Sequence, residues 1–401
     1  MQGCALLNSG RVKLRGRIYW LTAGGAVLIL TFAVALFLTI GDTQNPAVRR
    51  FLRANFIRRV DKVELGQNVV DCSLRSVDLK DKASLLPTMR FNLRTRWPAK
   101  DRMPAGLEPL QLLTNAMNPG LGVRQLHEQG ITGKGVSVAI VDYPLLADHP
   151  EYAGQLAAYH SCGKSFESSM HGPAVASLLV GTHCGTAPGA RLYYAATADP
   201  GEGVQDIINA VNWLLETNSH MAATERIRVI SISASPDGDR IFPRTNASGP
   251  WPETRRRAEA VGVLILDFSR EDAFIGPCEY DPAAPEDPAQ CHPVLAKDYP
   301  KFFADHLLVP VAPRTIAEEL EPGACGYQYC GLGRLTFRYH GVSWAAPYCA
   351  GVLALGWQVR PDLTPAQMRD LLFRSAYKLQ SGEKIIQPLE FIRLVRLEPQ
   401  K

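Results

Sequence analysis

From about Asn118 onward the chain alternates apolar runs with segments of helical spacing, and that alternation leaves few folds open. Val136-Ser137-Val138-Ala139-Ile140-Val141 is apolar almost without a break, is bounded by Gly133 and Gly135, and ends in Asp142. A strand with one wet face would alternate polar and apolar residues; a continuous run reads as a strand buried on both faces, as in a parallel sheet. Arg191–Ala195, Arg228–Ser233 and Gly262–Leu266 repeat the profile. Between them, Gln205–Glu216 carries Ile207, Ile208, Val211, Leu214 and Leu215 at helical spacing, and Glu253–Val261 reads as a further helix. The predicted fold is α/β, with a mostly parallel central sheet and helices on both faces. Ligands of such sheets gather at the carboxyl ends of the strands.

Two other stretches of small and apolar residues each open on a reactive side chain. Met170–Gly181 reads as a helix with His171 at its start and Pro173 near the first turn, where a missing N–H is tolerated. Gly341-Val342-Ser343-Trp344-Ala345-Ala346-Pro347 leads into a second helix that runs to Gly356, and Pro347 is likewise read as a first-turn proline. At that helix start, unpaired N–H groups and the positive end of the dipole would favour an oxyanion formed at the Ser343 hydroxyl. Taken singly, Asp142 reads as a helix cap, His171 as a structural residue and Ser343 as an ordinary N-cap. Taken together they meet at one sheet edge and supply orienter, base and nucleophile for acyl transfer.

With these residues the sequence resembles the subtilisin-like serine proteases over roughly residues 118–397, and their chain order Asp, His, Ser is the one known for subtilisin. Gly133–Asp142, followed by His149-Pro150-Glu151, is similar to the family's Asp motif. His171-Gly172-Pro173-Ala174-Val175-Ala176 resembles its His motif, and Thr186-Ala187-Pro188-Gly189-Ala190-Arg191-Leu192 the segment after it. Gly341–Pro347 resembles the Ser motif, and Arg360–Met368 the closing helix. The resemblance implies that Ser343 attacks a scissile carbonyl, that His171 takes and returns the proton, and that Asp142 holds the imidazole. It also implies that Ser231, Ser233, Ala234 and Ser235 lie where the family pairs an edge strand with the substrate backbone.

The departures are local. Tyr143-Pro144 stands where the family has Thr or Ser and then Gly, and Pro173 and Val342 each replace a Thr. The family's oxyanion-hole Asn should follow Gly262–Leu266, but the chain continues Asp267-Phe268-Ser269-Arg270-Glu271-Asp272 and has no Asn after Asn246. Losing one such donor costs about 100- to 1000-fold in turnover. The Ser343 N–H would remain, with Ser269 or a protonated Asp267 as substitute donors. The expectation is a serine-type endopeptidase acting on peptides or proteins; the alternatives are a pseudoprotease that grips a partner without efficient cleavage, and a scaffold. The sequence reveals no metal site, and no cofactor is expected.

The rest of the chain adds context. A net charge of +4 over 401 residues, with scattered basic residues, gives no footprint for nucleic acid. Tyr19–Ile40 holds no charged residue and is long enough to span a bilayer, which takes ~20 apolar residues. It lacks a small-residue cleavage site, so an uncleaved anchor is favoured over a cleaved signal. Arginines flank it on both sides. The predicted organisation is a cytoplasmic N-terminus and anchor over 1–41, a stalk or pro-like lead-in over 42–117, and a peptidase domain over 118–401. Within the lead-in, Val69–Leu74 reads as a short strand and Leu107–Ala116 as a helix. Of the nine cysteines only Cys4 precedes the span; the even remainder suits an oxidising periplasmic or extracellular side. Local closure favours the pairs Cys278–Cys291 and Cys325–Cys330, with Cys162–Cys184 next; a reduced protein on the cytoplasmic side is the alternative.

Overall fold

Five parallel strands form the sheet that carries the predicted site residues: β1 (Ser137–Asp142), β2 (Leu156–Ser161), β3 (Arg191–Ala196), β4 (Ile227–Ile232) and β5 (Leu264–Leu266). Their order in the sheet is β2-β3-β1-β4-β5. This is a computed structural model, and it describes residues 57–162, 170–197, 204–237, 250–269, 273–294, 305–321, 323–332 and 341–399. The expected anchor and its orientation lie outside those residues. Among the described residues no helix is long and apolar enough to cross a membrane.

The unbroken hydrophobicity of β1 has the expected cause, because both faces of the sheet are covered. On one face lie α1 (His171–Val180) and, from the far end of the chain, Val342–Val359. Val138 and Ile140 of β1 join Val175, Leu179, Ala345, Val352 and Leu355 in the core on that side. The other face holds α2 (Val204–Ser219) and α3 (Trp251–Ala260), where Ala139 and Val141 pack with Ile207, Val211, Leu214 and Trp251. Val138 to Val141 therefore serve two different cores in alternation, and none of these four can be polar. We call Val342–Val359 α4. It begins at Val342, so Pro347 sits inside the helix and not in its first turn, a correction to the sequence reading.

A second sheet follows along the chain, with Ile275–Glu279, Leu307–Ala312 and Lys384–Ile385 in parallel. Arg314–Glu321 and Ala324–Cys330 form an antiparallel hairpin whose outer strand pairs with Arg90–Asn92. The lead-in is thereby drawn into the fold. Residues 57–117 carry their own small core of Val69, Leu74, Leu79, Leu86, Met89 and Phe91, closed by Tyr329 of the hairpin. Ile57–Lys401 is one compact unit. Within the lead-in the expected strand shrinks to Cys72–Ser73 and the expected helix to Pro109–Asn115.

The eight described cysteines are free thiols. Cys278 and Cys291 are both buried, and Pro293, two residues after Cys291, registers opposite Cys278. Cys325 and Cys330 both lie on Ala324–Cys330. Five residues of strand separate them by ~16 Å, whereas a disulfide needs Cα atoms within about 7 Å. Cys162 leaves the carboxyl end of β2 and packs with the α2–α3 face, while Cys184 lies beyond the far end of α1, a helix ~15 Å long. These two expected pairings are corrected by the fold. Mild oxidation followed by peptide mapping should give a Cys278–Cys291 bridge and neither Cys325–Cys330 nor Cys162–Cys184; recovery of either latter bridge would contradict this packing.

Candidate active site

Asp142 ends β1 and is 1% exposed. A buried carboxylate needs donors, and Asp142 Oδ1 accepts the Tyr143 N–H at 2.8 Å. The same oxygen lies 2.6 Å from His171 Nδ1. A carboxylate in that place fixes the proton on Nδ1, which leaves Nε2 as the basic nitrogen. His171 is the first residue of α1, so the geometry depends on how closely α1 approaches the end of β1. Gly172 makes the approach tight: a Cβ there would stand 2.5 Å from the Pro144 carbonyl oxygen and 2.6 Å from that of Tyr143.

The His171 ring is framed by two aromatics. Tyr143 meets it edge-on at 5.8 Å between centroids, and Trp344 lies tilted across it at 5.3 Å. Trp344 directly follows Ser343, so the start of α4 is brought beside the imidazole. Gly341 caps α4 at a φ of 84°, a left-handed conformation that a side chain would strain. Ser343, second in the helix, sits among first-turn N–H groups that have no acceptor within it. Asp142, His171 and the start of α4 thus lie at the carboxyl edge between β1 and β4, where the strand order reverses. Open α/β sheets hold ligands at that point.

Protonation of His171 is governed by two opposed effects. Burial works against a charged ring, but the Asp142 carboxylate, through its charge and its hydrogen bond, outweighs it. The His171 pKa therefore stands above the ordinary 6.5.

The other predicted residues are placed differently. Ser231 is 1% exposed and lies in the sheet interior, paired with Ile140 on one side and Leu266 on the other. It is no edge-strand contact. Beyond β4, the Ala234 carbonyl already accepts the Phe268 N–H at 3.0 Å, and Ser235 follows without strand pairing. Ser233 directs its hydroxyl to the Ser343 carbonyl at 2.8 Å. The two proposed substitute oxyanion donors face away from the site. Asp267 bonds Arg255 at 2.8 Å, and Trp251 Nε1 donates to Asp267 at 3.1 Å and to Ser269 at 3.0 Å. Ser269 in turn donates to Asp267 at 2.9 Å. Arg255 and Trp251 belong to α3, so both side chains are committed beneath the opposite face of the sheet. Burial pushes the Asp267 pKa up against the pull of Arg255. The alternation along the strand explains this: Ile265 faces α3, Leu266 faces α4, and Asp267 faces α3 again. Tyr143 and Trp344 as ring walls went unassigned in the sequence, and only their adjacency to Asp142 and Ser343 marked them. Among the described residues no group of three or more His, Cys, Asp or Glu could hold a metal ion.

Comparison with known proteins bears on the family. The Subtilase family model matches residues 133–266 and 324–388. The chain is 28% identical over 291 residues to the subtilisin-like protease PopC of Myxococcus xanthus, covering 64% of this chain and 59% of PopC. It is 25% identical over 286 residues to the serine protease AprX of Bacillus subtilis, covering 61% of this chain and 62% of AprX. The matches thus span about three fifths of the length of each of these two relatives. Subtilisin of Bacillus pumilus is 26% identical over 273 residues, covering 64% of this chain and 89% of the relative.

Two outcomes follow from the geometry. In an NMR titration the His171 ring should change charge with a midpoint above 6.5. Asp142→Asn, which removes the charge and leaves burial dominant, should bring that midpoint below 6.5; an unmoved midpoint would deny the pairing. Gly172→Ala should cost ~1–3 kcal/mol in denaturant unfolding, since the added methyl has only backbone carbonyls and a buried tyrosine hydroxyl to displace.

Proposed function

We propose that the chain, which the Subtilase family model matches over residues 133–266 and 324–388, is a subtilase and a serine-type endopeptidase working through Asp142, His171 and Ser343. The observation that carries this reading is the 2.6 Å contact of the Asp142 carboxylate with His171 Nδ1, at the edge where Ser343 starts a helix. In the proposed reaction His171 Nε2 takes the Ser343 proton as the hydroxyl attacks the scissile carbonyl. Asp142 stabilises the resulting imidazolium, which then protonates the leaving amine. The raised His171 pKa suits a base that must hold that proton for the length of the step. Water then resolves the acyl-enzyme by the same groups.

The negative charge that develops on the substrate oxygen has weaker support than usual. With Asp267 and Ser269 bonded beneath α3, the Ser343 N–H and the start of α4 are the donors this reading can name. Slow turnover is therefore part of the proposal. The same observation favours a second reading, a pseudoprotease that grips peptide without efficient cleavage. We further propose that Tyr19–Ile40 tethers the chain to a membrane with the peptidase domain on the periplasmic or extracellular side. Peptide or protein substrates are implied; their sequence preference is not.

A fluorophosphonate probe should label the full-length chain at Ser343, and Ser343→Ala should abolish the label. Asp142→Asn should lower kcat on a peptide substrate by about 10⁴-fold, the loss expected when the imidazole is held in the wrong tautomer. Unlabelled Ser343 in folded wild-type chain would reject the enzyme reading in favour of the pseudoprotease.

A further inference from the structure

Proline at position 347 takes a donor away from the helix that carries Ser343. α4 starts at Val342, so the N–H of residue 347 would ordinarily bond the carbonyl four residues back, which is that of Ser343. Pro347 has no N–H, and its ring also crowds that carbonyl. The backbone oxygen of the candidate nucleophile is left without its helical partner, and a carbonyl at a part-buried site needs one.

Ser233 supplies it. Its Oγ donates to the Ser343 carbonyl oxygen at 2.8 Å, across 110 residues of chain. The donor is well anchored, because Ser233 directly follows β4 and β4 is held on both sides. Ile232 registers with Val141 of β1, and Ser231 with Leu266 of β5. A short side chain at the end of a doubly paired strand has little freedom to move. The bond therefore fixes the backbone of Ser343 relative to β1, which ends in Asp142.

We propose that Ser233 is a positioning residue for Ser343: its hydroxyl replaces the helical hydrogen bond that Pro347 removes, and so sets where the Ser343 hydroxyl stands against His171. This rests on the serine-nucleophile reading. Ser233 touches a backbone carbonyl and not the reacting atoms, and its hydroxyl is spent there instead of on substrate. Its loss should fall on the chemical step, with binding of peptide little changed.

The test uses the full-length chain with Ser233→Ala, Ser233→Thr, Pro347→Ala and the double variant Ser233→Ala/Pro347→Ala. Ser233→Ala should lower kcat and the rate of fluorophosphonate labelling by ~10- to 100-fold with KM unchanged, the range expected when a nucleophile is slightly misplaced. Ser233→Thr keeps the hydroxyl and should keep most of the rate. Melting temperature gives a readout independent of catalysis. Ser233→Ala should lower it by ~2–4 °C in the wild-type background and by much less beside Pro347→Ala, where the new N–H offers the carbonyl its ordinary bond. Equal losses in both backgrounds would overturn the proposal, as would a kinetic loss carried by KM alone. If Pro347→Ala does not fold, equal labelling rates for Ser233→Ala and Ser233→Thr would overturn it. A wild-type chain that resists labelling would instead defeat the nucleophile reading, and the melting cycle would still decide the link between Ser233 and Pro347.

Discussion

The backbone of α1 at Gly172 lies against the carbonyls of Tyr143 and Pro144, and the carboxyl edge of the sheet takes its geometry from that contact. It brings His171 within a hydrogen bond of Asp142, which no longer side chain at 172 would allow. The carbonyl that Gly172 approaches is itself held, since Tyr194 of β3 donates its hydroxyl to the Tyr143 oxygen. At its other end α1 is fixed by Glu151, whose buried carboxylate accepts the N–H groups of His183 and Cys184 and the Tyr327 hydroxyl. Both ends of the helix are thus tied by buried hydrogen bonds, which are expensive to break and therefore directional.

α4 is set against α1 on the same face by small residues. Ala345, Ala346 and Ala350 are fully buried, and at Gly351 a Cβ would stand 2.5 Å from that of Thr186. Close packing of the two helices brings the starts of α1 and α4 to the same sheet edge. The opposite face serves stability. There Asp267, Arg255, Trp251 and Ser269 form a closed polar group under α3, and removing one partner of such a buried pair typically costs ~3–5 kcal/mol. Asp267 and Ser269, two of the positions where an oxyanion donor was sought, are thereby engaged in holding α3.

Much of the architecture was legible because burial on two faces writes itself into a strand. Val138–Val141 had to be apolar at every position, and the helices between strands had to show a 3.6-residue period. The three reactive residues were legible for a related reason: each stands where an element of clear pattern begins or ends. The lead-in gave no such sign. Its core residues Val69, Leu79, Leu86 and Phe91 are spaced by turns and by short 3-10 segments, so no period connects them, and their closure depends on Tyr329 far along the chain.

By itself, then, the sequence determined the layered sheet and the order in which Asp142, His171 and Ser343 reach its edge. Only the tertiary structure decided which way individual side chains turn beyond the ends of β4 and β5. Ser231 and Ser233 share a face, yet one is enclosed between paired strands while the other reaches the Ser343 carbonyl. Asp267 and Ser269 turn to Arg255 and Trp251. The same holds for the cysteines, where proximity in sequence paired Cys325 with Cys330 and an extended strand set them apart. Past the last paired residue a side chain's direction follows from the nearest partner for its hydrogen bonds, and that partner comes from a distant part of the chain.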